Sequence, residues 1–133
     1  MGPSSFIAGS LASQVSDDLR RFSSSFDAYV RETGAWPEEV DPGVIPPGMA
    51  SRLNPAAWIR RTPIGGQFNW DQNQTHYGTK YLAVIAISSS AKERLKQDVE
   101  LWQTIDDLID DGNLETGTFR IETDDEPIYV VTQ

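Results

Sequence analysis

Apolar side chains recur at steps of three and four between residues 11 and 37, which predicts one long amphipathic helix. Gly34 supplies the flexible residue that commonly follows a helix, and Trp36-Pro37 then turns the chain. A helix of this kind cannot bury its apolar face alone, so the rest of the chain must cover it. The apolar face consists of Leu11, Val15, Leu19, Phe22, Phe26, Tyr29 and Val30.

A proline-rich stretch follows at residues 37–57, and its scattered apolar residues indicate an ordered loop that wraps the fold. Phe68 and Trp70 then alternate with polar residues, as in a half-buried strand. The continuous apolar run at residues 81–88 predicts a central strand covered on both faces. Residues 72–79 between them are polar and predict a turn, so the two strands should pair as an antiparallel hairpin.

Ser90 and Glu93 have the spacing of a capping box, which predicts a second helix that ends at Gly112. Its apolar face should carry Leu95, Val99, Trp102, Ile105 or Asp106, and Ile109. Two closing strands are predicted near residues 117–123 and 128–132. The expected fold is α+β, with an N-terminal amphipathic helix on an antiparallel sheet of about four strands and a second helix beside it.

The chain has 133 residues and a hydrophobic content of 38%, enough for one domain with a core. Residues 1–5 resemble a cloning remnant, so we expect a single domain over residues 6–133 and a natural chain that extends upstream. The first twelve residues lack the features of a signal peptide, and no run is long enough to span a membrane. The net charge of −9 argues against nucleic acid and anionic membrane surfaces as partners.

Catalytic signals are sparse. Cysteine is absent, which excludes a disulfide framework, thiolate metal sites and a cysteine nucleophile. His76, the one histidine, falls in the predicted turn, and no nucleophile motif accompanies it. Gly65-Gly66 lacks the pattern of a phosphate loop and suits a tight strand start. We therefore expect no enzyme and no cofactor, and we expect the four tryptophans to serve core packing rather than sugar stacking.

Acidic residues crowd the predicted end of the second helix, where the helix dipole disfavours negative charge. They are Asp106, Asp107, Asp110 and Asp111, and Asp124, Asp125 and Glu126 follow in the last turn. Solvation, or pairing of Asp110 or Asp111 with Arg120, is the default expectation. Calcium is the alternative, with Asp110, Asp111 and Asp124 as ligands, although the spacing does not match an EF-hand.

Three segments together resemble type IV pilin-like proteins and type II secretion pseudopilins. They are DDLRRFSSSFDAYVRETGAWP at 17–37, TPIGGQFNWD at 62–71 and IDDLIDDGNLETGTFRI at 105–121. The first resembles the end of the family's long N-terminal helix with its G-x-W-P exit and wrapping loop. The second is similar to the start of a strand in bacterial pilin-like subunits, and the third to a helix-to-strand passage near the C-terminus. The resemblance covers about residues 15–131.

The resemblance implies the periplasmic head of a filament subunit, held at the bacterial inner membrane by an apolar helix that this sequence lacks. It implies other pilin-like subunits and the secretion or pilus machinery as partners. Leu11 and Val15 would then form an exposed assembly face, and the head alone would be a monomer or weak dimer. Because Leu11 and Val15 precede the region with obvious packing partners, we also expect residues 1–12 to be frayed or to make only lattice contacts. The alternative is an adhesin or minor subunit that recognises a secreted protein or glycan through a groove near residues 43–61.

Overall fold

A computed structural model describes residues 3–60, 62–76, 79–89, 94–95, 99–110, 118–121 and 127–132, with side chains except at 3–8, 73–76, 79–82 and 132. The elements are α1 (Pro3–Thr33), α2 (Pro55–Ile59), β1 (Gln67–His76), β2 (Thr79–Ser88), α3 (Val99–Ile109), β3 (Phe119–Ile121) and β4 (Pro127–Thr132). The α+β class, the long N-terminal helix and the four-stranded antiparallel sheet are confirmed.

Helix α1 ends where the sequence predicts but begins much earlier. The amide of Gly34 donates to the Val30 carbonyl at 2.8 Å, and Gly34 has a φ of +81°, which favours glycine after a helix. The helix starts at Pro3, so residues 3–12 are helical rather than frayed, and the prediction is wrong for this part of residues 1–12. A proline is well tolerated in the first turn of a helix, because backbone N–H groups there have no acceptor within the helix and proline has no N–H to leave unpaired. Ala12 is already fully buried in the core.

The sheet has the strand order β1-β2-β4-β3, and every neighbouring pair is antiparallel. β1 and β2 form the expected hairpin, in which Trp70 lies opposite Ile85. The hairpin is longer than predicted, because β1 continues to His76 and β2 begins at Thr79. The sequence did not predict this extension because its residues are polar, whereas strand pairing depends on backbone hydrogen bonds and does not require apolar side chains.

One face of the sheet packs on α1 through an aromatic cluster. Phe26 stacks on Trp70, with ring centroids 3.9 Å apart and planes 6° from parallel. Phe22 meets Trp58 and Phe68 edge to face, at centroid distances of 5.0 and 4.8 Å. These geometries add to the free energy gained by removing large rings from water. The cluster therefore fixes both the position and the rotation of α1 on the sheet.

The opposite face of the sheet is buried as well. Val84 lies opposite Val130 and Ala86 lies opposite Ile128, and the four side chains form a second apolar cluster. Residues 83–88 of β2 are all buried, with alternate side chains in the two clusters. The prediction of a central strand covered on both faces is confirmed.

The proline-rich loop is ordered and runs along the outer edge of β1. The amides of Val40 and Gly43 donate to the carbonyls of Trp70 and Phe68, at 3.5 and 2.9 Å. Further along, the Asn54 side chain caps the short helix α2. The loop is thus fastened to the sheet by backbone as well as by side chains.

Helix α3 differs from the predicted second helix at its start. It begins at Val99, whose side chain is 60% exposed rather than buried as predicted. Leu95, which was predicted to lie on the apolar face of this helix, precedes it and forms an isolated β-bridge with Gly65. Trp102 and Ile105 are buried, as expected. The predicted capping box at residues 90–93 lies outside the described residues, as does Gly112.

Candidate functional site

The residues predicted to pack α1 on the sheet divide into two groups. Leu19, Phe22 and Phe26 are buried in the core, whereas Tyr29 and Val30 are half-buried. Tyr29 still packs against the core cluster. The apolar face of α1 is thus fully buried at its middle and partly open toward its C-terminus.

The predicted assembly face does not form. Val15 is completely buried and belongs to the same core cluster as Phe22, and Leu11 is half-buried against that cluster. Helix α3 packs against α1 and joins the same core cluster through Trp102 and Ile105, a partner for α1 that the sequence pattern did not reveal. Leu11 and Val15 therefore contribute to the protein's own core rather than to an exposed stripe.

The acidic end of α3 is not a uniformly solvated surface. Asp106 is fully buried, Asp107 is exposed and Asp110 is half-buried. The carboxylate of Asp110 accepts the Phe119 amide at 2.8 Å, which joins the end of α3 to β3. Asp111 and Asp124 lie outside the described residues. Within the described ranges, no three acidic or histidine side chains come together in a way that could hold a metal ion.

Arg20 from α1 reaches the C-terminal end of α3. Its guanidinium donates to the Leu108 carbonyl at 2.8 Å, which satisfies a carbonyl that has no partner within the helix. Burial raises the pKa of Tyr129 nearby, while the charge of Arg20 lowers it and that of Asp110 raises it. The charges of Arg20 and Asp110 thus both act on Tyr129 of the sheet, and the positive charge of Arg20 at the end of α3 offsets the helix dipole.

An open cleft of about 500 Å³ separates α1 from the segment that includes α2. It is lined by Asp18, Arg20, Arg21, Phe22, Ser24, Ser25, Arg52, Leu53, Asn54 and Ala57. The Ser25 hydroxyl contacts both walls, with the Arg52 carbonyl at 3.1 Å and the Arg21 carbonyl at 3.0 Å. We call this the arginine cleft; it lies in the region where the sequence suggested a groove.

Internal ion pairs hold most of the charges around the arginine cleft. Arg60 donates to Asp18 at 2.6 Å, and burial nevertheless raises the pKa of Asp18, against the opposing effect of Arg60. Arg52 pairs with Glu32, and the hydrogen bond between them lowers the pKa of Glu32 and raises that of Arg52. Arg21 is exposed and forms no ion pair with another described residue.

A second groove of about 440 Å³ lies where the loop meets β1. Its lining is Glu39, Val40, Asp41, Pro42, Asn69 and Asp71. Burial, and secondarily the charge of Glu39, raises the pKa of Asp71 to about 6. Glu39 also accepts the Gln72 amide at 3.0 Å. These described lining side chains offer carboxylates and an amide, so the groove can exchange a proton.

The remaining sequence candidates give no further site. Trp58, Trp70 and Trp102 are buried, which confirms core packing for these three, and Trp36 is half-buried against Trp70. His76 lies at the end of β1 rather than in a turn, and its side chain is outside the described part. None of the helices in the described ranges combines the length and hydrophobicity needed to cross a bilayer.

Sequence reasoning suggested a groove near residues 43–61 but not the residues of α1 that form its other wall, because the two walls come from distant segments. Ser25 and the Arg52 carbonyl, which meet across the cleft, are 27 residues apart in the chain. The only local signal is that Arg20 and Arg21 are adjacent on the polar side of a predicted helix. Comparisons with family profiles, curated proteins and solved structures found no match to this chain.

Proposed function

We propose that this chain is the globular head of a pilin-like filament subunit of a type IV pilus or type II secretion pseudopilus. In this proposal the protein catalyses no reaction, and its function is to assemble with further pilin-like subunits. The head lies on the periplasmic side of a bacterial inner membrane, and an apolar segment upstream of α1 anchors it.

The observation that supports this proposal best is the packing of α1. A helix of 31 residues lies across an antiparallel sheet and is held there by stacked aromatic rings. It ends at Gly34, and the chain passes through Trp36-Pro37 directly into a loop along the sheet edge. A long helix, this exit and a wrapping loop are the combination that the resemblance to pilin-like subunits implies.

A recognition module for a secreted protein or glycan is the competing hypothesis. Glycan recognition commonly uses exposed aromatic faces, but Trp58, Trp70 and Trp102 are buried in this chain. The arginine cleft favours an acidic peptide over a sugar, since guanidinium groups pair with carboxylates.

The gene itself provides the decisive test. The natural reading frame upstream of residue 6 should encode a prepilin peptidase site followed by about 20 predominantly apolar residues, the length that spans a bilayer. Cells that produce the extended protein should process it in the presence of the peptidase and retain it in the membrane fraction.

The control is the same extended gene with its cleavage site substituted, which should give unprocessed protein. A reading frame that starts near residue 6, or an upstream region without any apolar segment, would contradict the proposal. Cleavage followed by release of a soluble head would favour the recognition module instead.

A further inference from the structure

We propose that the arginine cleft is the docking site for the outward face of α3 on a second copy of this chain. This inference rests on the proposed function, because it identifies the surfaces through which neighbouring heads contact each other. The acceptor is the arginine cleft between α1 and α2. The donor is an acidic ridge on α3 formed by Glu100, Gln103 and Asp107, with Val99 and Leu108 beside it.

Charge is distributed very unevenly along the chain. Residues 1–61 contain six arginines and seven acidic residues, and are therefore close to neutral. Residues 62–133 contain five basic and thirteen acidic residues, and carry nearly all of the net charge of −9. A cleft with three arginines in its lining is thus an exception on an acidic protein, and the acidic half of another copy is electrostatically complementary to it.

The arginine cleft has both charge and an apolar floor. Arg21 is exposed and has no ion-pair partner among the described residues, so it can accept a carboxylate without breaking an existing bridge. Phe22, Leu53 and Ala57 lie beneath it as buried apolar side chains. A ligand with carboxylates and aliphatic groups on one rigid face would satisfy both features.

The acidic ridge presents such a face. Glu100 and Asp107 are exposed and form no ion pair with another described residue. They are seven residues apart, which places them about 10 Å apart along one side of the helix. Gln103 lies between them and donates to Asp107 at 3.1 Å, and Val99 and Leu108 are 60% and 46% exposed.

The two surfaces are different parts of the chain, so every copy offers one of each. Docking of a ridge into a cleft is therefore heterologous, and repetition generates a row of molecules rather than a closed symmetric dimer. The contact depends on exposed charges and should weaken with salt, because screening shortens the reach of such charges. A row stabilised in this way is weak in a dilute head and is reinforced when an anchor concentrates the copies.

Disulfide trapping between two variants tests this geometry, because the chain has no cysteine of its own. One protein carries Ser24→Cys at the arginine cleft, and the other carries Gln103→Cys on the acidic ridge. The two proteins are mixed and oxidised at low ionic strength. The yield of mixed disulfide should be about tenfold higher than the yield from the control pair, Ser24→Cys with Glu38→Cys. A tenfold difference corresponds to about 1.4 kcal/mol. Glu38 is exposed on the loop and serves as the control position.

Charge exchange then separates docking from chance collision. Arg21→Glu in the cleft protein should abolish the excess, and Asp107→Arg in the ridge protein should restore it. Arg31→Glu is the matched control, because Arg31 is exposed on α1, pairs with Asp27 and does not line the cleft. It should leave the yield of mixed disulfide unchanged. Restoration by a second substitution cannot result from misfolding of the first.

A mixed disulfide at the control level would overturn the proposal, as would equal effects of Arg21→Glu and Arg31→Glu. A disulfide between two Ser24→Cys proteins at equal yield would indicate a symmetric dimer and would also overturn it. The gene test of the proposed function is independent of these results. An upstream anchor without the mixed disulfide would reject this docking alone, whereas the disulfide without an anchor would leave a self-associating protein of another kind.

Discussion

Asp106 and Asp107 are neighbours in the chain, yet the first is fully buried and the second is exposed. Successive residues of a helix point about 100° apart, so one of two adjacent carboxylates can face α1 while the other faces water. The sequence shows four acidic residues near the end of α3 but not which of them turns inward. That choice depends on the rotation of α3 against α1, which distant contacts determine.

Phe26 is the residue whose loss should be most damaging on α1. It is fully buried and stacks on Trp70, so Phe26→Ala removes a large apolar surface and leaves a cavity. We expect the free energy of unfolding to fall by about 3–5 kcal/mol. Leu108→Ala provides the control, because Leu108 is 46% exposed and its truncation should cost about 0.5 kcal/mol or less. Denaturant unfolding of both variants measures the difference, and equal midpoints would exclude the packing described for α1.

Asp71 should make the stability of the protein decrease as the pH rises. Its pKa is 3.8 in an unfolded chain and about 6 in the fold, so between these values the folded state binds more protons. Its stabilising contribution is complete below pH 3.8 and is lost as the pH rises through about 6. Asp71→Asn should remove this dependence and raise the free energy of unfolding at pH 7 by about 1–2 kcal/mol, after discounting for partial exposure.

Two control variants locate the origin of this effect. Glu39→Gln should reduce the pH dependence in part, because the charge of Glu39 is the second cause of the raised pKa after burial. Asp107→Asn removes one negative charge outside the groove and is the control for the change in net charge alone. Thermal unfolding from pH 4 to pH 7 measures all three proteins, and an unaltered slope in Asp71→Asn would contradict the assignment.

At the scale of elements, local sequence predicts the strands and helices but misjudges several ends. The end of α1 at Gly34 and the buried run of β2 follow from local chemistry, and both predictions are confirmed. The start of α3 was misplaced because Leu95 pairs with Gly65, a contact that no periodicity in the sequence reveals. The contact of Arg20 was not predicted for the same reason, because its guanidinium donates to the Leu108 carbonyl at the end of α3, far along the chain.

The position of Arg20 bears on the calcium hypothesis at the end of α3. Arg20 already places a positive charge at the Leu108 carbonyl near the end of α3, and the Asp110 carboxylate already accepts the Phe119 amide. We therefore expect millimolar calcium to change the thermal midpoint of chelator-treated protein by no more than about a degree. Specific binding would stabilise the folded state and raise the midpoint by several degrees for each kcal/mol of stabilisation. Magnesium at the same concentration is the control. A calcium-specific rise of several degrees would support Asp110, Asp111 and Asp124 as ligands.

At the scale of the molecule, the net charge of −9 opposes close approach of identical heads. We expect light scattering at micromolar concentration in physiological salt to give the mass of a monomer. Raising the protein concentration at low salt should increase the apparent mass gradually, as the arginine cleft and acidic ridge associate. A large oligomer of fixed size at micromolar concentration would contradict both the repulsion and the weak docking.

The sequence could predict the fold class because α1 has apolar residues at helical spacing, whereas β1 alternates and β2 is a short continuous apolar run. It could not predict the arginine cleft, since the two walls of that cleft, α1 and the segment that includes α2, come together only when the chain folds. For the same reason Val15 was assigned to an outer surface, although it lies in the core. Exposure is a property of the assembled molecule, and a single helix shows only which of its sides is apolar.

The loop along β1 has a consequence for aggregation. Strand edges with free backbone groups can recruit further strands and seed cross-β fibres, and crowding increases this risk. Here the amides of Val40 and Gly43 occupy carbonyls on the outer side of β1, and the strand at the other edge, β3, is only three residues long. The covered part of β1 and the short described strand β3 are therefore poor templates for amyloid, which favours side-chain contacts over strand pairing where copies of the protein are held at high local density.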